Sequence, residues 1–462
     1  MTARTITALR IWAEQALLAG GWARDVAVTL DDAGRIAALR PDSRPEPGAR
    51  RVGALLPAPA NLHSHAFQRA MAGLTERRGP DPRDTFWTWR QLMFRFLDRL
   101  GPDDVQAITA FVQMQMLESG YAAVAEFHYL HHAPGGRPYQ SLAEMSARVV
   151  AAAGQSGIGL TLLPVLYQYG GCDQRALAAG QIRFGNDPDR FARLVDEAGQ
   201  ALAALPGDAR LGVAPHSLRA VSPEGLAMAV ALRPDAPLHM HLAEQVAEVE
   251  EVQAVRGARP VEWLLDHAQV TARWCLIHCT QMQRRETLTL AATGAVAGLC
   301  PITESSLGDG IFDGVAWTGA GGLWGIGSDS NIRISLSEEL RSLDYSQRLR
   351  DRSRAALATA DRSTGRVLLE SAARGGAKAC GRDAGVLAVG KLADLVALDT
   401  GHVDLEGRQG DSLLDAFIFA ADDRAVCDVW SAGRHLVSEG RHVKHDDITR
   451  AYRAVTRRLA AL

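Results

Sequence analysis

Two histidines separated by one serine, His63 and His65, follow a run of short apolar residues. The apolar run predicts a buried strand, and residues two apart on a strand point to the same side of it. Their imidazoles would then converge on one point, and imidazole is a common ligand of divalent first-row metal ions. Histidines at this spacing also occur as ordinary core residues, so the pair indicates a metal site only if other predicted strands end in ligands too.

Ligand residues accompany two other apolar runs. The run 236–242 contains His239 and His241, and we take His241 as the ligand because it lies nearer to the end of the strand. The run 322–328 is followed by Asp329. That aspartate has a second explanation, the capping of the next helix. As a fourth ligand it could also take a proton from water.

Glu244 and His278 are candidates for proton transfer and charge stabilisation. Glu244 lies three residues beyond His241, where a carboxylate can face a metal-activated water without binding the metal. It could also simply begin a helix. His278 falls in the apolar run 274–279, where a histidine is either a core residue or a group at the mouth of the site that stabilises a developing oxyanion.

The spacing of the apolar runs predicts an α/β fold, a (β/α)8 TIM barrel. Short apolar runs alternate with amphipathic segments from about residue 53 to 330, as in parallel strands joined by helical crossovers. In such a barrel the functional side chains lie at the carboxyl ends of the strands. The eight predicted strands are 53–63, 121–128, 158–167, 209–216, 236–242, 274–279, 294–300 and 322–328.

The sequence pattern of both chain ends differs from that of the barrel region. They alternate apolar and polar residues and carry hairpin signals such as Asp31-Asp32-Ala33-Gly34, which predicts a small β-sandwich made from both ends. We therefore expect sandwich strands in 1–55, the barrel in 56–382, and further sandwich strands with a terminal helix in 383–462. The segment 66–102 is long for a βα connection and is a candidate lid or substrate wall.

Composition narrows the range of partners. The formal net charge is −3 and there is no basic stripe, so a nucleic-acid partner is not expected and a small-molecule substrate is. The six cysteines show neither a CxxC pair nor the density of a disulfide scaffold. No secretory leader pattern and no apolar run of membrane-spanning length occur. These features predict a cytoplasmic protein without a membrane partner.

The order of these motifs resembles the amidohydrolase superfamily over nearly the whole chain. The segment 385–396 is similar to that superfamily's return into its sandwich. The resemblance implies metal-dependent hydrolysis and, in many members, a homodimer. Members with two metal ions commonly have a modified lysine at the end of the fourth strand, but 211–217 contains no lysine. A single divalent ion is implied, with Zn²⁺ expected, bound by His63, His65, His241 and Asp329.

Within the superfamily the chain resembles the formimidoylglutamate deiminases. The resemblance is carried by four segments, 63–69, 86–90, 126–129 and 215–219. It implies hydrolysis of N-formimidoyl-L-glutamate to N-formyl-L-glutamate and ammonia, in a route of histidine degradation. Two arginines suit a substrate with two carboxylates, and neutral hydrogen-bonding groups suit its formamidine. The implied substrate-binding residues are Gln68, Arg90, Tyr129, His216 and Arg219.

Two alternatives remain at this stage. One is a related enzyme that deaminates another acidic formamidine, such as the aspartate homologue, or a heterocycle. The other is a barrel that has lost catalysis and serves as a scaffold, although such a protein should lack at least one ligand or the proton shuttle, and none is missing here.

Overall fold

The computed structural model describes residues 9–76, 93–94 and 96–460. Part of the proposed lid, including Arg90 and the rest of the segment 86–90, lies outside the described residues. In the described part of the chain, no helix is long and apolar enough to cross a membrane.

The predicted TIM barrel is confirmed. Two parallel sheets, ordered β5-β6-β7-β8 and β10-β11-β12-β13, are joined by single bridges between Val213 and Leu238 and between Ser64 and Asp329. The fourth barrel strand is interrupted, so β8 and β9 both pair with β7. The barrel strands are β5 (Ala60–Ser64), β6 (Ala123–His128), β7 (Gly159–Leu166), β8 (Arg210–Leu211), β9 (Ala214–Pro215), β10 (Leu238–Leu242), β11 (Trp274–His278), β12 (Val296–Leu299) and β13 (Leu323–Ile326).

Helices cover the outside of this barrel. Strands β6, β7, β10, β11 and β12 are therefore buried along their whole length, which explains their continuous apolar sequence. The helices are α1 (Pro102–Glu118), α2 (Glu144–Ser156), α3 (Pro188–Leu202), α4 (Pro223–Leu232), α5 (Val246–Arg256), α6 (Pro260–His267), α7 (Arg284–Ala291), α8 (Pro301–Leu307), α9 (Gly314–Gly319), α10 (Leu336–Asp351), α11 (Thr364–Ala379), α12 (Asp411–Phe419) and α13 (His445–Ala460).

The two chain ends meet in one eight-stranded sheet, ordered β17-β16-β15-β14-β4-β1-β2-β3. The hairpin predicted at 31–34 joins β2 to β3. Side chains of these strands form most of a separate apolar cluster. The strands of the sheet are β1 (Arg10–Leu18), β2 (Gly21–Leu30), β3 (Ile36–Arg40), β4 (Arg50–Pro57), β14 (Leu395–Leu398), β15 (Val426–Ser431), β16 (Arg434–Ser438) and β17 (Arg441–His442).

The prediction of one barrel strand over 53–63 is wrong in its extent. Residues up to Pro57 belong to β4, which pairs with β1 and β14 of the terminal sheet, and only Ala60–Ser64 forms the barrel strand. Pro59 has no N–H to donate, and the Ala58 N–H donates to the Asp394 carbonyl. The apolar run was continuous because both strands are buried, and a shared apolar character does not show where one sheet ends.

Candidate active site

The side chains of His63, His65, His241 and Asp329 converge at the mouth of the barrel. Their ligand atoms all lie within 4.8 Å of one another. Asp329 Oδ1 is 3.4 Å from His63 Nε2 and 3.3 Å from His65 Nε2. His241 Nε2 is 3.1 Å from His63 Nε2. Four residues that are far apart in the sequence therefore direct their polar atoms at one point.

The hydrogen bonds of His65 and His241 show which nitrogen of each imidazole directs its lone pair at this point. His65 Nδ1 donates to the Phe127 carbonyl at 2.9 Å, and His241 Nδ1 donates to the His216 carbonyl at 3.0 Å. In a neutral imidazole the other nitrogen, Nε2, is then an acceptor. Burial lowers the pKa of His65 and His241, so both imidazoles are neutral.

His63 completes the set of neutral imidazoles. Burial lowers its pKa to about 3, which outweighs the hydrogen bond with Asp329 that would raise it. Lone pairs this close together repel one another unless a cation lies between them. Three imidazole nitrogens and one carboxylate suit a divalent first-row metal ion, so this donor set fits a metal site.

Asp329 is held in place by backbone hydrogen bonds to the first barrel strand. Its N–H donates to the His63 carbonyl and its carbonyl accepts from the His65 N–H, both at 2.9 Å. The residue has a positive φ of 44°, which the surrounding bonds enforce. Although burial alone would raise the pKa of Asp329, its hydrogen bond with His63 and the positive charge of His278 lower it, so it is a carboxylate. The same contacts that close the barrel thus position the fourth candidate ligand.

Glu244 lies beside the ligand cluster on the loop that follows β10. Its Oε2 accepts a hydrogen bond from Arg219 Nη2 at 3.2 Å, and its Oε1 is 3.9 Å from His278 Nε2. The preceding residue, Ala243, has a positive φ of 52°. The loop therefore turns sharply after the strand and directs the carboxylate of Glu244 back into the mouth of the barrel.

Glu248, which the sequence reasoning missed, holds this loop. It is completely buried, and its two carboxylate oxygens accept the N–H groups of Ala243 and Glu244, each at 3.0 Å. Its Oε2 is also 3.8 Å from Arg219 Nη2. An acidic residue in the first turn of α5 was visible in the sequence, but that position is also common for an exposed helix start.

His278 faces three carboxylates. Its Nε2 is 3.8 Å from Asp329 Oδ2, and its Nδ1 is 3.2 Å from Glu304 Oε1. Burial alone would lower the pKa of His278, but the carboxylates of Glu244, Glu304 and Asp329 raise it to about 10. Glu304 was also missed by the sequence reasoning, because it lies in the first turn of α8, where an acidic residue needs no partner.

The other predicted residues are placed as follows. Gln68, Tyr129, His216 and Arg219 line the same pocket as the ligand cluster. Gln68 Nε2 donates to the Tyr129 hydroxyl at 2.7 Å, whereas Gln68 Oε1 is buried with no hydrogen-bond partner among the described residues. Arg90 lies outside the described residues.

His239 lies away from the cluster. Its Nε2 donates to the Ala379 carbonyl at 2.8 Å, and the whole side chain is buried. This hydrogen bond accounts for the residue as part of the barrel core. The two histidines of β10 thus have different surroundings, and only His241 belongs to the group of possible metal ligands among the described residues.

Comparison with known proteins shows the family of this chain. Residues 54–436 match the sequence model of the amidohydrolase family, and residues 9–53 match that of the formimidoylglutamate deiminase HutF, N-terminal domain. Formimidoylglutamate deiminase of Pseudomonas aeruginosa is 47% identical over 96% of this chain and 97% of its own. The 8-oxoguanine deaminase of the same species is 28% identical over 80% of this chain and 79% of its own.

Two solved structures share the whole fold. The crystal structure of an amidohydrolase from Brucella melitensis has a TM-score of 0.94 and 48% identity, covering 98% of this chain and 100% of that one. An adenosine deaminase from Xanthomonas campestris with bound zinc has a TM-score of 0.82 and 23% identity, covering 98% and 99% of the two chains. At that lower identity the likeness concerns the fold alone.

Proposed function

The chain belongs to the amidohydrolase family, and from this premise we propose that it is a formimidoylglutamate deiminase. It hydrolyses N-formimidoyl-L-glutamate to N-formyl-L-glutamate and ammonia, a step of histidine degradation. The observation that carries the proposal is the 47% identity, over almost the full length of both chains, to an enzyme of that name. The match of residues 9–53 to the amino-terminal domain of the same enzyme supports it independently.

We propose that one divalent ion, Zn²⁺, is bound by His63, His65, His241 and Asp329. Their neutral imidazoles and single carboxylate fit it, and no lysine accompanies them on β8 or β9 to hold a second ion in the way of the two-metal relatives. A zinc ion at such a site supplies Lewis acidity, which makes hydroxide available from water at neutral pH. The chain's own residues must then move the protons and hold the substrate.

Glu244 and Asp329 are the proposed proton acceptors, and Glu244 is also the proposed donor to the leaving nitrogen. Glu244 is suited to this because its loop position faces the ligand cluster while its carboxylate stays outside it. His278, with its raised pKa, carries a proton and can donate a hydrogen bond to the tetrahedral adduct of the formamidine carbon. The adduct then collapses and ammonia leaves with the proton from Glu244.

The pocket lining that contains Gln68, Tyr129, His216 and Arg219 is the proposed substrate-binding surface. Arg219 and Arg90 are proposed to bind the two carboxylates, since guanidinium groups pair with carboxylates bidentately. Gln68 Oε1, which is buried and has no hydrogen-bond partner within the described part of the chain, suits a formamidine N–H. Tyr129 holds Gln68 in position. His216 lines the same pocket, and its backbone carbonyl orients His241.

A second candidate function is deamination of another acidic formamidine or of a heterocycle. The resemblance to 8-oxoguanine deaminase favours keeping the heterocycle in the test, although Arg219 in the pocket favours an anionic substrate. The aspartate homologue is one methylene shorter, and a methylene discriminates by only about 1–3 kcal/mol, so some activity on it is expected.

The test is ammonia release from N-formimidoyl-L-glutamate by zinc-loaded enzyme, with the second product identified by mass spectrometry. We expect N-formyl-L-glutamate. Glutamate plus formamide would show that another bond is cleaved, and the absence of turnover with bound zinc would refute the substrate. The aspartate homologue and 8-oxoguanine serve as comparison substrates.

Glu244→Gln is the matched variant for this assay. It keeps the size of the side chain but cannot shuttle a proton, so we expect full zinc content and a loss of turnover of about 100-fold or more. Near-normal turnover of a zinc-replete Glu244→Gln enzyme would contradict the proposed role of Glu244.

We propose a cytoplasmic location, in keeping with six cysteines that are all free thiols in the structure and with a catabolic substrate. The homodimer and the domain boundaries at 55/56 and 382/383 stay predictions.

A further inference from the structure

A second group of metal-binding atoms lies beside the first and contains a thiol that the proposed reaction does not use. His278, Cys300 and Asp329 each offer one ligand atom, and the three atoms lie within 4.8 Å of one another. All three residues stand at or just beyond the ends of successive barrel strands, β11, β12 and β13. The barrel thus brings a thiol, an imidazole and a carboxylate to one place.

The chemistry of these donors selects a class of ion. Thiolate and imidazole favour soft or borderline cations such as Zn²⁺ and its heavier congener Cd²⁺, whereas Mg²⁺ prefers oxygen ligands throughout. His278 and Asp329 both line the substrate pocket, so an ion that enters the pocket meets two of the three ligands there. Cys300 is completely buried and does not line the pocket.

The charge around this group also favours a cation. Glu304 Oε1 is 3.2 Å from His278 Nδ1, and Glu244 Oε1 is 3.9 Å from His278 Nε2. With Asp329, three carboxylates therefore face one imidazole inside the protein. Buried charges require compensation. Arg219 already supplies it to Glu244, and a divalent ion would add it for Glu304 and Asp329 at close range.

We propose that His278, Cys300 and Asp329 form a second, inhibitory site for Zn²⁺ or Cd²⁺. An ion here shares Asp329 with the first site, and carboxylate-bridged pairs of ions about 3.5–4 Å apart are common in hydrolases. Its binding displaces to solvent both the Cys300 thiol proton and the proton that His278 carries on its ligand nitrogen, and it occupies the imidazole of His278. That imidazole can then no longer donate a hydrogen bond to the reacting substrate. Only the inhibition rests on the proposed function; ion binding does not.

The test titrates Cd²⁺ into enzyme that already holds one equivalent of Zn²⁺, with Mg²⁺ as the comparison ion. Bound metal per chain, the ultraviolet charge-transfer absorbance of a Cd²⁺–thiolate bond, and turnover are measured together. We expect one Cd²⁺ to bind without release of Zn²⁺, the absorbance to appear, and turnover to fall by about tenfold or more. Mg²⁺ should do none of these.

Cys300→Ser and Cys300→Ala are the decisive variants. Each should keep turnover within a few-fold of the unmodified enzyme, lose the absorbance, and need at least about tenfold more Cd²⁺ for inhibition. Cys427→Ser removes a half-buried thiol far from the barrel mouth and should behave like the unmodified enzyme.

Three results would overturn the proposal: equal inhibition of the Cys300 variants, release of one Zn²⁺ for each Cd²⁺ bound, or no second ion at all. If the unmodified enzyme does not deaminate N-formimidoyl-L-glutamate, the proposed function fails, but metal content and absorbance still decide whether the site exists.

Discussion

At the scale of single residues, the candidate site combines side chains at strand ends with side chains on the helices that follow. The strand-end residues His63, His241 and Asp329 could be predicted, because the end of a barrel strand is where functional groups project. Glu248 and Glu304 could not. Both lie in first turns of helices, where an acidic residue is usual, and only the folded structure shows which buried groups they contact.

Glu304→Gln tests whether this carboxylate positions and charges His278. The amide can still accept from the Cys300 N–H, as Glu304 Oε1 does at 2.9 Å, but it no longer provides an anion beside His278. We expect kcat to fall about 10–100-fold with KM nearly unchanged, because the role proposed for His278 is in the transition state rather than in substrate binding.

Steady-state kinetics and zinc analysis check this prediction. Glu262→Gln, which alters a surface carboxylate paired with Arg285, is the control and should leave kcat unchanged. A rise in KM alone for Glu304→Gln would show that the residue supports substrate binding instead.

At the scale of elements, the amphipathic pattern and the strand positions were predicted because local sequence determines them. The boundary between β4 and β5 was not, since both strands are buried and their apolar runs join. The loop after β10 was also beyond prediction. Its positive φ at Ala243 arises from hydrogen bonds to Glu248, and alanine carries no local signal for that conformation.

Glu248→Ala should weaken this loop. It leaves two buried N–H groups, those of Ala243 and Glu244, without acceptors, and each such group costs about 1–3 kcal/mol. We expect the free energy of unfolding to fall by at least about 2 kcal/mol, measured by urea denaturation. Glu250→Ala, two residues further along α5 and exposed, should change it by less than about 0.5 kcal/mol. Equal effects would argue against the loop role.

The end of β6 carries a pH-dependent contribution to stability. Burial, reinforced by His65, lowers the pKa of His128 to about 3. Because the unfolded chain binds a proton near pH 6.5 and the folded one does not, this residue stabilises the fold above pH 6.5 and loses that contribution as the pH falls towards 3. Glu126 acts oppositely, since burial raises its pKa to about 8.

The variant His128→Asn isolates the contribution of His128 to the pH dependence of stability. In metal-free protein, we expect His128→Asn to reduce the pH dependence of unfolding, by making the loss of stability between pH 7.5 and 5.0 about 2 kcal/mol smaller than in the unmodified protein. Urea denaturation at the two pH values measures it. An identical loss in both proteins would mean that His128 takes up its proton over the same pH range in the folded and the unfolded state.

At the scale of the whole molecule, a buried arginine connects the barrel to the terminal sheet. Arg382 donates to both oxygens of Asp394, each at 2.8 Å, and to Asp208 Oδ2 at 3.1 Å. Arg434 of β16 binds the same Asp208. These partners are too far apart in the sequence for any local pattern to predict, although the two regions they join were recognised by composition.

Arg382→Met should lower the free energy of unfolding, because it weakens the contact between the barrel and the terminal sheet. It leaves Asp394 and Asp208 buried with less compensating charge, and removing one partner of a buried pair costs about 3–5 kcal/mol. Denaturation would measure this loss. Arg424→Met breaks an exposed pair with Asp422 and should leave the free energy of unfolding nearly unchanged.

The hydrogen bonds between Asp329 and the first barrel strand also bear on how the molecule is made. During synthesis, His63 and His65 leave the ribosome with nearly the whole barrel still to follow, and Asp329 emerges only with the eighth strand. The nascent chain therefore cannot assemble the full ligand set until the barrel sequence is complete. The proposed ion can then be held by its full ligand set only late in synthesis, and a chain truncated before the eighth strand should be unable to retain it.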